Sequence, residues 1–172
     1  MLHHVEVELQ RAAIKDPLTG AYNRRQLSKI LADEVERCRR FDHKMTLAMI
    51  DLNGFKSIND THGHHIGDEV LTAFTRCLRA NLRDVDTVGR WGGDEFVVFL
   101  AEANPDAADS IARRLLEAFE NIPAGDSEDL RIGASMGFAE LTDDDWRRTL
   151  RRADQALYQA KDRGRGVVAI AS

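Results

Sequence analysis

Apolar residues recur every three or four positions in three stretches of the chain, which is the spacing of one face of an α-helix. These stretches predict helices over 68–82, around 111–122 and over about 145–163, with Gly164 as the residue that follows the last helix. A further helix is predicted from about Asn23 to Phe41, with Asn23 as its N-cap. The apolar positions are Val70, Phe74 and Cys77; Ile111, Leu115, Phe119 and Ile122; and Trp146, Leu150, Ala153, Leu157 and Ala160.

Five other apolar runs have the length of β-strands. Two of them flank the sequence Gly-Gly-Asp-Glu at 92–95, which is typical of a tight hairpin turn. We expect the run at 130–141 to pair with this hairpin, and 121–129 to be a surface loop. Because a hairpin interrupts the alternation of strands and helices, the pattern predicts an α/β fold with a mixed central sheet surrounded by helices. The runs are Thr46–Leu52, Thr87–Trp91, Phe96–Ala101, Leu130–Leu141 and Val167–Ala171.

The N-terminal segment carries a short heptad-like stripe. Leu2, Val5, Leu9 and Ala12 are spaced by three and four residues, but they span fewer than two heptads. The stripe fits the end of a coiled coil and a solvated leader helix equally well. The turn sequence at 16–20 ends it, so we predict a linker or signalling helix over 1–15 and one folded domain over 16–172.

Composition narrows the class of protein. The chain has 172 residues, the size of one ordinary domain, and a net charge of -5 that argues against general nucleic-acid binding. No apolar run approaches the roughly 20 residues of a membrane-spanning helix, and no signal peptide is recognised, so we expect a cytoplasmic protein. Cys38 and Cys77 show neither disulfide nor zinc spacing, and we expect both to be small buried residues.

Acidic residues stand at two strand ends. Asp51 ends an apolar strand, and Asp94 and Glu95 lie at the tip of the hairpin. If the hairpin neighbours the strand of Asp51, the carboxylates converge and offer the oxygen ligands that Mg²⁺ takes together with substrate phosphates. Alternatively, each is an ordinary solvated acid.

Several other residues have chemistry suited to a nucleotide. Gly92 and Gly93 would let backbone N–H groups approach a phosphate, or they simply form the hairpin turn. Lys161 and Arg165, at the end of the last predicted helix, would reach a triphosphate or complement the helix dipole.

A polar segment over 55–68 follows the strand of Asp51. Lys56 would neutralise phosphate charge, and Asn59 and Asp68 would hydrogen bond a guanine edge. The alternative is that Asn59 and Asp68 are helix caps. The adjacent histidines in this segment do not have the spacing of a metal site.

Arg83 and Asp86 lie three residues apart upstream of the hairpin. A local ion pair explains this spacing, and an exposed guanidinium also suits a phosphate or a guanine.

Taken together, the order of these motifs resembles the GGDEF family of diguanylate cyclases. The resemblance covers about 16–170, nearly the whole chain. The matching strings are DPLTGAYNR at 16–24, DLNGFK at 51–56, IND at 58–60, GH at 63–64, GD at 67–68, GGDEF at 92–96, ADQALY at 153–158, AK at 160–161 and GR at 164–165.

The resemblance implies a nucleotidyl-cyclase-like fold and an enzyme that condenses two GTP into cyclic di-GMP and two pyrophosphates. It implies Mg²⁺ as the metal, with Mn²⁺ as a substitute. It also implies a homodimer in which two half-sites, each with one GTP, face each other, and a sensor or receiver domain upstream. The implied metal ligands are Asp51, the Leu52 carbonyl, Asp94 and Glu95. The implied catalytic residues are Asp94, Glu95 and Lys56. The implied substrate-binding residues are Asn59, His64, Asp68, Gly92, Gly93, Lys161 and Arg165, and the implied product-inhibition site is Arg83 with Asp86.

Two positions depart from the family pattern. Asn53 stands where the family often has a second aspartate, and Gly54 stands where a bulkier residue is common. Aspartate at position 68 favours guanine over adenine. The alternative function is a catalytically silent relative that binds cyclic di-GMP or GTP. Since degenerate relatives usually lose hairpin acids, the presence of Asp94 and Glu95 favours the enzyme.

Overall fold

The computed structural model describes residues 13–120, 122–124, 127–142, 144–164 and 168–171. The linker or signalling helix predicted over 1–15 lies outside these residues, apart from 13–15. The helices are α1 (Arg24–Phe41), α2 (Phe55–His62), α3 (His64–Asn81), α4 (Pro105–Glu120) and α5 (Trp146–Asp162). The strands are β1 (Met45–Asn53), β2 (Thr87–Gly92), β3 (Glu95–Ala101), β4 (Pro123–Ala124), β5 (Ser127–Arg131), β6 (Gly133–Glu140) and β7 (Val168–Ile170).

Strand β1 lies at the centre of a five-stranded sheet with the order β2-β3-β1-β6-β7. Its first eight residues are all buried, as expected for an apolar run covered on both faces. It pairs antiparallel with β3 and with β6, whereas β6 and β7 are parallel. The predicted mixed sheet is therefore confirmed.

Two expectations for the second half of the chain are wrong. The strand predicted at 130–141 does not pair with the hairpin, because β1 lies between them and β6 takes the free edge of β1. The segment predicted as a loop at 121–129 contains β4 and the start of β5, which pair in a small separate sheet.

Alternate residues of β1 supply two apolar cores. Ala48, Ile50 and Leu52 pack on the face covered by α3 and α4. Leu47 and Met49 pack on the opposite face, against α1 and α5. This period of two is the geometry of a pleated strand, and it fixes which face each polar residue at the end of β1 occupies.

The predicted helices are present, but two have shifted boundaries. Helix α4 runs from Pro105 to Glu120, so it starts six residues before the predicted 111 and ends before Ile122. Asn23 caps α1 by accepting a hydrogen bond from the Gln26 amide, as predicted. Helix α3 begins at His64, four residues before the predicted start, after Gly63 with a left-handed φ of 86°. No described helix combines the length and apolarity needed to cross a membrane. Cys38 is buried and Cys77 half-buried, and both thiols are free.

Helix α5 approaches the sheet most closely at Gly137 of β6. A Cβ atom built there would lie 2.1 Å from the Ala153 carbonyl oxygen and 2.2 Å from the Leu157 amide nitrogen. Both are backbone atoms, so the helix as a whole would have to move. The missing side chain at Gly137 therefore sets the height of α5 above the sheet.

We expect Gly137→Ala to lower the free energy of unfolding by about 1–3 kcal/mol, the range for overpacked cores, which corresponds to roughly 2–4 °C in Tm per kcal/mol. Thermal and urea denaturation measure the change. Gly133→Ala on the same strand is the matched control, because its Cβ would meet only the Asn53 side chain, at 3.4 Å. Equal stability of the two variants would contradict this account.

Candidate active site

The acidic residues meet at the end of the central strand. Asp51 of β1 is directly opposite Glu95 of β3, and the Leu52 amide donates to the Asp94 carbonyl at 3.3 Å. The hairpin between β2 and β3 turns at Gly93, whose φ is 37°. The predicted convergence of Asp51, Asp94 and Glu95 is therefore present, and it follows from the register of one strand pair.

A lysine from α5 neutralises part of this charge. Lys161 forms an ion pair with Oδ2 of Asp51, whose residue is only 8% exposed. Lys161 lies in the last turn of α5, where a cation also complements the helix dipole. Its contact with Asp51 places it in the acidic site.

The carboxyl groups at the hairpin hold protons more tightly than usual. Burial, with a hydrogen bond and charge repulsion from Asp51, raises the pKa of Asp94 to about 6. Burial and repulsion from Asp51 and Asp154 also raise the pKa of Glu95. Burial is the main cause of both pKa shifts, and the neighbouring carboxylates add to it.

Buried polar atoms without a partner are confined to this region. Among the described residues they are Asp51 Oδ1, Asn53 Nδ2 and Asn59 Oδ1. Because such atoms are rare in folded proteins and costly, their concentration over nine residues marks a site shaped for a ligand.

The carboxylate oxygens gathered here suit a divalent cation that also binds a substrate. Asp51, Asp94 and Glu95 offer hard oxygen ligands, and Asp51 Oδ1 is a buried oxygen that lacks a donor. Within the described ranges, no group of three or more His, Cys, Asp or Glu side chains forms a ready metal cage. A metal ion bound here would therefore need ligands beyond these side chains.

Asn53 is bound to the neighbouring strand. The Ser135 hydroxyl of β6 donates to Asn53 Oδ1 at 2.9 Å. The amide thus ties the end of β1 to β6, a role that one aspartate oxygen would also fill. Ser135 was missed by sequence reasoning, although a fully buried serine within an apolar strand is a usable signal.

Helices α2 and α3 carry the residues predicted to contact substrate. Lys56 and the half-buried Asn59 lie on α2, and the exposed His64 and Asp68 lie on α3. The cap alternative for Asn59 and Asp68 is wrong, because Gly54 and Gly63 precede the two helices and both residues lie inside them.

The predicted glycine turn is open to solvent. Gly92 and Gly93 are exposed, and nothing lies within 4 Å of a Cβ built on either. Arg165 lies outside the described residues. The structure therefore brings the carboxylates and Lys161 close together. The other described residues that were predicted to bind substrate lie on neighbouring elements.

The sequence profile of the diguanylate cyclase GGDEF domain matches residues 13–167. The chain belongs to this family. Diguanylate cyclase DgcP of Pseudomonas aeruginosa is 39% identical over 170 residues, which are 98% of this chain and 25% of DgcP. This GGDEF domain spans less than half the length of the curated relatives it matches.

Solved structures share the fold. The GGDEF domain aligns with diguanylate cyclase SiaD of Pseudomonas aeruginosa, solved with its activator SiaC, at a TM-score of 0.87 and 37% identity, covering 99% of this chain and 66% of that one. It aligns with the coiled coil and GGDEF domain of DgcB from Caulobacter crescentus, solved with cyclic di-GMP, at a TM-score of 0.91 and 26% identity, covering 99% of this chain and 92% of that one.

Arg90 links the hairpin of the GGDEF domain to the segment before α1. Its Nη1 donates to both carboxylate oxygens of Asp16, at 3.1 and 3.2 Å, and its Nε donates to the Gly93 carbonyl at 2.9 Å. Sequence reasoning missed this role. The signal was a charged residue in the middle of a strand, which needs a partner when it is partly buried.

The predicted local ion pair of Arg83 and Asp86 is present. Asp86 has a side chain only 1% exposed, and it accepts from the Arg83 guanidinium and from the Ala101 amide. Arg83 also donates to the Ala101 carbonyl at 2.6 Å, yet its side chain remains 50% exposed. Asp86 thus holds the Arg83 side chain in place, and of the two side chains only that of Arg83 is exposed to solvent.

The raised pKa of Asp94 predicts a pH-dependent stability. The folded protein holds the Asp94 proton more tightly than the unfolded chain does. The protein is therefore more stable below about pH 4, where Asp94 is protonated, and this added stability is lost as the pH rises through about 6. Relative to wild type, Asp94→Asn should gain roughly 1 kcal/mol between pH 4 and 7.5, after allowance for partial exposure.

Thermal melts from pH 4 to 7.5 in the presence of a chelator test this expectation. Asp33→Asn, an exposed acid on α1, is the control and should follow wild type at every pH. Parallel curves for Asp94→Asn and wild type would show that the crowding of carboxylates has no energetic consequence.

Proposed function

We propose that this GGDEF domain is a diguanylate cyclase that condenses two GTP molecules into cyclic di-GMP with release of two pyrophosphates. The observation that carries the proposal is the cluster of Asp51, Asp94 and Glu95 beside Lys161, at the end of the central strand. Family membership and the names of the relatives support the same activity.

We assign the metal to Mg²⁺, with Mn²⁺ as a substitute, held by Asp51, Asp94, Glu95 and the Leu52 carbonyl. When bound, the metal would supply positive charge to the attacking and leaving oxygens of a phosphoryl transfer. Asp51 Oδ1 is the oxygen with the strongest reason to bind the metal, since it is buried and no protein donor reaches it.

The protein's own groups bind the rest of the nucleotide. Lys56 and Lys161 face the triphosphate with positive charge, and Arg165 joins them from the chain after α5. The open turn at Gly92 and Gly93 lets backbone approach the phosphates without side-chain obstruction. The guanine base lies against α2 and α3, where Asn59 and Asp68 hydrogen bond it and His64 contacts the nucleotide.

The reaction forms a bond between the 3′-oxygen of one GTP and the α-phosphorus of the other. The bond from this phosphorus to the bridging oxygen breaks, and pyrophosphate leaves in line with the attack. The 3′-hydroxyl proton goes to the Asp94 carboxylate or to water. A second such step closes the ring.

Catalysis needs two copies of the domain. Each copy holds one GTP, and cyclic di-GMP is two-fold symmetric, so a homodimer with facing half-sites is the natural arrangement. We assign 16–172 to the catalytic domain and 1–15 to a linker from an upstream sensor or receiver domain, in a cytoplasmic protein. The specific activity should therefore rise with protein concentration.

Incubation of the protein with GTP and Mg²⁺ tests the proposal. Wild type should release pyrophosphate and form cyclic di-GMP, and Asp94→Asn should lose at least 10²-fold in turnover, since a lost charge-stabilising group typically costs that much. Asp33→Asn is the matched control and should retain wild-type turnover.

The assay also separates the alternative function. GTP or cyclic di-GMP binding without any product, at high protein concentration and in a covalently linked dimer, would favour a silent binding module and overturn the cyclase proposal.

We further propose that cyclic di-GMP inhibits the enzyme through Arg83. Support comes from the half-exposed guanidinium, which Asp86 holds in one orientation, and from cyclic di-GMP in the solved DgcB structure. Arg83 contacts guanine or phosphate through Nη1, since its Nε and Nη2 donate to Asp86 and to the Ala101 carbonyl. Asp86 acts through Arg83, because its own carboxylate is buried.

Arg83→Ala should therefore weaken inhibition by added cyclic di-GMP at least tenfold and leave the initial rate unchanged. Progress curves at increasing cyclic di-GMP measure both quantities. Arg76→Ala, an exposed arginine on α3, is the control. An unchanged inhibition curve for Arg83→Ala would remove Arg83 from the inhibitory site.

A further inference from the structure

Gly67 is a buried glycine inside helix α3. Glycine is the least favourable residue after proline in a helix interior. Its backbone does not require glycine, since its φ is not in the left-handed region, unlike that of Gly63. The reason for a glycine must therefore be the space that its missing side chain leaves.

The Asn59 side chain of α2 occupies that space. A Cβ atom on Gly67 would lie 1.8 Å from Asn59 Oδ1 and 2.9 Å from Asn59 Cγ. Its next neighbour would be Phe55 Cζ at 3.4 Å, an ordinary contact. Asn59 is therefore the residue that excludes a side chain at position 67.

Packing, rather than hydrogen bonding, holds the Asn59 amide. Its Oδ1 is buried and has no donor. Buried amide oxygens normally have a partner, so this orientation carries a cost that the fold alone does not require. With the oxygen seated against α3, the amide NH₂ group, on the same carbon about 120° away, is directed out of this contact.

We infer that Gly67 is a positioning residue for the nucleotide base. The inference rests on the proposed function, in which Asn59 binds the guanine of GTP. The space left by the missing side chain of Gly67 holds the Asn59 oxygen. The Asn59 NH₂ group is thereby fixed in a position to donate a hydrogen bond to a ring nitrogen of the base. Asp68, the next residue, is carried on the same turn of α3.

This arrangement predicts opposite effects on stability and on nucleotide affinity. In Gly67→Ala the methyl group displaces the Asn59 oxygen, which regains contact with water, and alanine favours the helix. The melting temperature should therefore stay equal or rise. Nucleotide affinity should fall by about tenfold, the usual effect of losing one neutral hydrogen bond.

The experiment is a double-mutant cycle of Gly67→Ala, Asn59→Ala and the combined variant. The probe is α,β-methylene-GTP, which binds but cannot transfer its α-phosphoryl group, and its Kd is measured by calorimetry together with the Tm. Each single variant should bind about tenfold more weakly than wild type. The combined variant should bind no more weakly than Asn59→Ala, because the added methyl group then displaces nothing.

Steady-state turnover of GTP gives an independent measure. Gly67→Ala should raise KM and leave kcat near the wild-type value, as expected for a residue that affects ground-state binding. Wild-type affinity in Gly67→Ala, additive losses in the combined variant, or an equal fall in Tm in both variants that carry Gly67→Ala would each overturn the inference.

Failure of the underlying proposal has a different signature. A folded wild-type protein that binds no analogue and forms no cyclic di-GMP would reject the proposed function and this inference together. A wild type that forms product, beside a Gly67→Ala variant of equal affinity, would reject the role of Gly67 alone.

Discussion

The antiparallel register of β1 with β3 is the constraint on which the site depends. β1 is buried over its first eight residues, and Asp51 is the seventh of them. Pairing Asp51 with Glu95 brings the hairpin tip to that end, so that three acidic side chains meet where the core stops. A shift of the register by one residue would turn the alternate side chains to the other face and separate the carboxylates.

Much of this arrangement was readable in the sequence. The apolar run of β1, the glycine pair of the hairpin and the helical stripes predicted the sheet and its helices, because burial imposes a period of two or of 3.6. The pairing of β6 with β1 could not be predicted, since the pattern of an apolar strand does not indicate which strand it pairs with. The start of α3 at His64 was not predicted, because its first turn contains two histidines and lies between Gly63 and Gly67. Such a sequence is typical of a loop.

The residues missed at the site share a physical character. Arg90, Ser135 and Gly67 act on other protein groups: Arg90 on Asp16 and the hairpin turn, Ser135 on Asn53, and Gly67 on Asn59. In the sequence they were recognisable as a charged residue within a strand, a serine within an apolar strand and a glycine within a helix, each at a position that disfavours its residue type. Departures of this kind from local rules collect at functional sites, where the fold tolerates a cost in stability.

Gly137 sets the height of α5, and Lys161 lies eight residues beyond Ala153, which Gly137 contacts. Eight residues of helix span about 12 Å. Because α5 rests on Gly137 at Ala153 and Leu157, a tilt of the helix at this contact also displaces the lysine. The electrostatic balance of the acidic cluster is thus coupled to the packing of the core between α5 and the sheet, so that side chains distant from the carboxylates also affect it.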